Sequence, residues 1–336
     1  MRRVRAALAF VAFAIGPAIA TSPARAQQTP PRSAGRVITD TLWSPSLGTK
    51  KAVVIYLPPS YATATARHFP VAYYLHGALG AETDWTRLGA LHRVADSLAG
   101  AGRAEMIVVM PDGDDSFYST WSTLLTIDAC RATAPKRERV ENYCVPWSHY
   151  DDYIARDLVQ FVDGKYRTQP EREHRGIAGL SMGGYGAIML ALQYPETFSA
   201  AASHSGVLSP LYNGAVPFAA PPAYAPDVAA LEQARGWLWP YMAPVFGRDP
   251  AGWKSRDPAR RLAQLVAQRG VVAVPALFAD AGSADGFTDE SRAFRWEAER
   301  LGVPLAYHEW PGGHEWIYWR AHVGESLAFL AEHIGR

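Results

Sequence analysis

The chain has 336 residues, 49% hydrophobic and 19% charged, and its 33 Lys+Arg against 32 Asp+Glu leave a net charge of +1. A balance this even gives no electrostatic case for nucleic acid or an acidic polymer as partner. Only two cysteines occur, Cys130 and Cys144, and no Cys/His cluster suggests a structural metal site.

In chain order, the first 26 residues read as a secretory signal: Arg2, Arg3 and Arg5 form a basic start, Ala6 to Ala20 is apolar, and Ala24-Arg25-Ala26 is a small-residue cleavage site before Gln27. The apolar run is shorter than the ~20 residues that span a bilayer, and Gly16-Pro17 interrupts it. The mature protein is therefore expected to start near Gln27, to have no membrane span, and to be secreted or periplasmic. A Pro- and Ser-containing leader (27–35) precedes a single domain over 36–336, long enough to bury a substantial core.

Within that domain, strands are expected at 36–43, 51–57, 70–75 and 105–110, with a helix at 86–101. A long insertion, 112–149, carries Tyr118, Trp121, Trp147 and both cysteines. In an exported protein an isolated pair in one loop reads as a disulfide, worth roughly 3 kcal/mol for a loop of this size. The basic run at 135–139 reads as a solvated loop. A helix at 150–165, a strand at 174–180, a helix at 184–194 and a strand at 198–204 follow. A second, lid-like insertion at 206–262 is rich in Pro, Ala and aromatics, including Tyr212, Trp237, Trp239 and Tyr241. A strand at 271–279, a helix at 287–301, a strand at 304–310 and a helix at 315–334 complete the chain. Alternating strands and helices predict an α/β fold with a mostly parallel sheet covered on both faces. Both insertions leave the sheet near the carboxyl ends of strands, where α/β ligands bind, and are read as pocket walls.

Residues 179–183, Gly-Leu-Ser-Met-Gly, fall between an apolar strand and a helix. This is the nucleophile-elbow pattern, in which Ser181 sits in a strained turn that leaves no room for a Cβ on the flanking glycines. Serine needs a base, and imidazole titrates near neutral pH. His314, in the Gly-rich loop after the last strand, is the expected base. His308 lies within a strand and reads as structural, whereas His204, after the strand that follows the elbow, could line the pocket. Two carboxylates compete to orient the imidazole: Asp280 at the end of the 271–279 strand, and Asp285 in the loop beyond it. Backbone amides of Met182, directly after the serine, and Ala78, in the loop after the 70–75 strand, are the candidate oxyanion donors.

The chain resembles the putative-esterase (esterase D-like) family of α/β-hydrolases. The resemblance rests on Val54-Ile55-Tyr56-Leu57-Pro58-Pro59-Ser60-Tyr61, Tyr74-Leu75-His76-Gly77, Met110-Pro111-Asp112-Gly113, the stretch from Tyr153 to Thr168, Gly179 to Ala187, Gly282-Ser283-Ala284-Asp285, and Gly313-His314. Its Gly-x-x-Asp match implies that Asp285 is the triad acid. It also implies an α/β-hydrolase fold and a carboxylic-ester hydrolase needing no cofactor, closest in look to bacterial feruloyl-esterase-like members. The expected partner is a small-molecule or polysaccharide-linked ester, such as a feruloyl or acetyl ester. An acyltransferase of the mycolyltransferase type would use the same three residues, and a binding protein on this fold is the non-enzymatic alternative.

Overall fold

The computed structural model of the chain describes residues 34–122, 127–133, 140 and 144–335. The expected signal sequence, most of the leader and the basic run at 135–139 lie outside them.

Eight strands form one sheet: β1 (Arg36–Ser44), β2 (Thr49–Leu57), β3 (Val71–Leu75), β4 (Ile107–Pro111), β5 (Arg175–Leu180), β6 (Ala200–His204), β7 (Ala276–Gly282) and β8 (Leu305–Trp310). Their order is β1-β2-β4-β3-β5-β6-β7-β8. β2 runs antiparallel to both its neighbours, and every pairing from β4 to β8 is parallel. The central strands β3, β4, β5 and β6 are buried at every position, as parallel strands covered on both faces must be. Alternate residues feed two cores. Val53, Ile55, Tyr73, Val109 and Ile177 point to one; Val54, Tyr74, Val108, Ala178 and Leu180 point to the other.

The principal helices are α1 (Leu91–Gly100), α2 (Val159–Lys165), α3 (Met182–Gln193), α4 (Val228–Arg235), α5 (Trp239–Phe246), α6 (Pro258–Arg269), α7 (Thr288–Arg300) and α8 (Trp316–Ile334). α3 is buried along nearly its whole length, because it is apolar all round and lies against the sheet. α8 closes the opposite face through Trp319, Val323, Leu327, Leu330 and Ile334.

Two expected elements differ. The strand expected from 271 begins at Ala276, and Val271–Ala273 is a single helical turn with Val272 94% exposed. Pro275 has no N–H for the sheet, so an apolar run alone could not extend the strand. β7 instead reaches Gly282, which places Asp280 inside it. The helix expected at 86–101 is broken: a short turn, Asp84–Arg87, ends before Ala90, whose φ of 51° is left-handed. A Cβ on the intervening Gly89 would lie 2.8 Å from Trp85 O.

The two insertions pack on each other and on α3. In the first, Cys130 and Cys144 are joined by a disulfide with Cα atoms 5.6 Å apart. In the second, Trp239 stacks on Trp253 at 5.6 Å, and Phe246 packs on Trp253, Phe117 and Tyr185. Among the described residues, no helix is long and apolar enough to cross a membrane.

Candidate active site

The parallel strands deliver four loops to one edge of the sheet. Ser181 links β5 to α3 with φ 53° and ψ −119°, an unfavourable conformation for a residue with a Cβ. The turn is tight enough that a Cβ on Gly179 would overlap the Gly183 carbonyl, and one on Gly183 would come within 2.6 Å of His76 O. The elbow is tied to the next strand by the Ser181 N–H, which donates to His204 O at 2.9 Å.

Asp285 lies in the loop after β7. Its own N–H donates to Gly282 O (2.9 Å), and Asp285 Oδ1 accepts from the Phe287 N–H (2.9 Å). This loop is joined to the one after β8, since the Ala284 N–H donates to Gly312 O at 2.9 Å. From there His314 Nδ1–H donates to Asp285 Oδ2 at 2.9 Å, with Oδ1 at 3.1 Å. A carboxylate only accepts, so Nδ1 carries the proton and Nε2 is left to accept from the Ser181 hydroxyl, 2.9 Å away. The Asp285 side chain is fully buried and the His314 ring is 28% exposed. Trp319 and Phe287 stand edge-to-face on the imidazole, each with its ring centre 4.9 Å away.

Beside Ser181 opens a cleft of about 420 Å³, lined by the 77–81 loop, Asp84, Arg87, Leu88, Leu180, His314, Trp237, Trp316 and Trp319. Ala78 lies in its wall. The 77–80 turn approaches the nucleophile so closely that a Cβ on Gly77 would lie 3.4 Å from Ser181 Cβ. Met182 opens α3, where the first amides have no helical acceptor. The two expected oxyanion donors therefore flank Ser181.

Two expectations are corrected, and the two competing carboxylates take different partners. Asp280 is fully buried and bonds elsewhere than to His314: its Oδ2 is 2.6 Å from His204 Nδ1, and its Oδ1 accepts from the Tyr318 hydroxyl at 3.0 Å. His204 is buried too, with Nε2 2.7 Å from Ser326 Oγ, and does not line the cleft. Of the two insertions only Trp237 reaches the cleft; no described residue of 112–149 is in its wall.

That first insertion supports the site from behind. Lys51, with no side-chain exposure, sits 2.6 Å from Asp112 Oδ2 and 2.7 Å from Asp114 Oδ2. The Tyr150 hydroxyl donates to Asp114 at 2.6 Å. Burial pushes the Asp114 carboxyl up to about 7, against the pull of Lys51. This cluster lies under His76, whose carbonyl accepts from the Tyr118 hydroxyl at 3.0 Å. Sequence reasoning missed it; the only trace was the run Asp112-Gly113-Asp114-Asp115 at a strand end. Among the described residues no group of three or more His, Cys, Asp or Glu could hold a metal ion.

The sequence profile of the family described as Putative esterase matches residues 44–330. The chain belongs to the putative-esterase family. An esterase of Mycobacterium tuberculosis is 29% identical over 275 residues, covering 80% of this chain and 53% of the relative. This chain thus spans about half the length of that relative. An acetyl esterase of Caldicellulosiruptor saccharolyticus is 24% identical over 261 residues, covering 77% of this chain and 82% of the relative. Among solved structures, a ferulic acid esterase superposes with a TM-score of 0.66 at 24% identity, over 90% of this chain and 99% of that one. That structure shares the α/β-hydrolase fold seen here.

Proposed function

We propose that this putative-esterase family member is an exported serine esterase that works through an acyl-enzyme, with Ser181 as nucleophile, His314 as general base and Asp285 as its orienting acid. The observation that carries the proposal is the single hydrogen-bonded line from Asp285 Oδ2 through His314 to Ser181 Oγ, both links 2.9 Å, opening on a cleft. His314 Nε2 takes the hydroxyl proton as Ser181 Oγ attacks the ester carbonyl carbon. The carbonyl oxygen becomes an oxyanion and accepts from the Ala78 and Met182 amides. On collapse the C–O bond to the alcohol breaks and His314 returns the proton to the departing alkoxide. Water, deprotonated by the same nitrogen, then attacks the acyl carbon and releases the acid and Ser181. Asp285 stays ionised throughout and stabilises the imidazolium.

The Trp-lined cleft favours esters with an aryl or other apolar acyl group, and the names of the relatives make acetyl and feruloyl esters the first substrates to try. Export is supported by the signal-like sequence of residues 1–26 together with the Cys130–Cys144 disulfide, a bond that persists in oxidising compartments.

The test is turnover of p-nitrophenyl acetate, longer-chain p-nitrophenyl esters and methyl ferulate by the chain from Gln27, beside Ser181→Ala. Turnover should be lost with Ser181→Ala while thermal unfolding stays unchanged. Equal activity in the two proteins would refute the proposal, and product appearing only with an added alcohol acceptor would identify acyl transfer.

A further inference from the structure

The 77–80 turn carries a strained residue beside the nucleophile. Leu79 sits at φ 61°, a left-handed conformation that a residue with a Cβ avoids. Its side chain is 48% exposed, so packing does not impose that conformation. Within the turn the Gly80 N–H donates to Gly77 O at 3.0 Å. What fixes its middle is a residue 36 positions away: Asp115, 3% exposed, whose Oδ1 accepts from the Leu79 N–H at 2.5 Å. Hydrogen bonds from an amide to an ionised carboxylate are short and roughly twice as strong as neutral ones.

The rest of the seam runs the same way. The Gly113 N–H donates to His76 Nε2 at 2.9 Å. That bond leaves the ring's proton on Nδ1, which donates to Gly77 O at 2.8 Å. The Tyr118 hydroxyl donates to His76 O. The loop after β4 is thus bonded on both sides of Ala78: at His76, just before the turn, and at Leu79, within it.

We propose that Asp115 is a positioning residue for the ester-cleaving reaction: by accepting the Leu79 amide it holds the 77–80 turn in the left-handed bend that aims the Ala78 N–H at the developing oxyanion. The inference rests on the esterase reading of Ser181. Asp115 touches neither substrate nor reacting atoms. Its effect should appear in the transition state and leave ground-state binding alone. A displaced donor is a smaller loss than a deleted one, so a fall in kcat of about 10–100-fold is expected.

The experiment compares Asp115→Ala and Asp115→Asn with the unmodified chain, using p-nitrophenyl acetate turnover and inhibition by a phenylboronic acid, whose tetrahedral Ser181 adduct places an oxygen in the oxyanion site. Asp115→Ala should lose about 10–100-fold in kcat with KM within about twofold, and boronate affinity should fall by a similar factor. Asp115→Asn keeps an acceptor oxygen for Leu79 and should stay within about fivefold of the unmodified chain. Unimpaired kcat and boronate affinity in Asp115→Ala would overturn the inference, and so would an Asn variant as impaired as the Ala variant. If Asp115→Ala does not fold, the unmodified chain still decides: with leucine ¹⁵N label, the Leu79 amide should be strongly downfield and slow to exchange, and rapid exchange would overturn the proposal. Turnover that survives Ser181→Ala would instead refute the esterase reading, whatever the Asp115 variants do.

Discussion

The two buried carboxylates of the β7 region make a sharp test, because their sequence contexts are similar and their surroundings are not. Asp285 Oδ2 accepts from His314 Nδ1 at 2.9 Å, and Asp280 Oδ2 is 2.6 Å from His204 Nδ1. In Asp285→Asn the side-chain NH2 can face the imidazole, which moves the ring proton to Nε2. That nitrogen then cannot accept the Ser181 proton. Tautomer errors of this kind cost about 10⁴-fold in kcat, or about 5.4 kcal/mol of barrier. Asp280→Asn keeps an acceptor for the Tyr318 hydroxyl but disturbs a buried hydrogen-bonded pair, at about 1–3 kcal/mol of stability. Its kcat per folded molecule should stay within about threefold, since the cleft and its lining are untouched. The assay is p-nitrophenyl acetate turnover per folded molecule, with the folded fraction taken from urea unfolding of each variant. The reasoning is refuted if Asp280→Asn is the inactive variant, or if Asp285→Asn keeps more than about a tenth of the activity.

Trp237 is 65% exposed and, among the described residues of the two insertions, is the one in the cleft wall. Trp237→Ala should lower kcat/KM for methyl ferulate or long-chain esters by about 5–30-fold, matching 1–2 kcal/mol of lost apolar contact, and hardly alter acetyl ester turnover; an equal loss on both would show that Trp237 is not read by the acyl group. Asp257 is fully buried, accepts from the Arg260 N–H at 3.0 Å, and is pushed by burial up to about 6 from an ordinary 3.8. The folded state therefore holds this proton more tightly than the unfolded one. The associated stability is complete below about pH 3.8 and lost as pH rises through about 6. The gap between 3.8 and 6, at 1.36 kcal/mol per decade, comes to about 3 kcal/mol. Unfolding free energy of the unmodified chain minus that of Asp257→Asn should fall by about this amount from about pH 4 to about pH 7, and parallel curves would contradict it.

The elements that position the site were legible because their local chemistry is distinctive. The elbow has its two glycines and an apolar strand before it, and β8 leads into Gly312-Gly313-His314. The choice between Asp280 and Asp285 was not decidable from the residues themselves; the family resemblance favoured Asp285. The physical difference is one of register: His204 and Asp280 are partners across β6 and β7, 76 residues apart. Nothing local in either segment encodes that pairing. The false start of β7 at Val271 has the opposite cause, an apolar composition overruled by Pro275. The 112–149 aromatics were read as cleft walls, yet composition does not say which way a loop turns. This one folds behind the 77–80 turn and supplies carboxylates. The cleft wall it was expected to form comes from Trp316 and Trp319, three apart at the start of α8, on one side of that helix.

Two Asp–His–Ser lines coexist in this fold, and comparing them shows what chemistry requires beyond the three residues. Asp280, His204 and Ser326 are linked at 2.6 and 2.7 Å, at least as closely as Asp285, His314 and Ser181. Every member of the first line is fully buried. Ser326 is within 3.1 Å of Val323 O and 3.0 Å of the Tyr74 hydroxyl, so its hydrogen-bonding capacity is spent inside the protein. No ester carbonyl could reach it. Ser181 instead follows a strand end at a positive φ that pushes its hydroxyl out of the sheet, and its imidazole partner borders the 420 Å³ cleft. Trp319 stands between the two lines. Its ring meets His314 edge-on, and its indole N–H donates to Ser205 Oγ at 3.1 Å, one residue from His204. Hydrogen-bond geometry is common to both; access for a substrate and amide donors beside the hydroxyl belong to one of them.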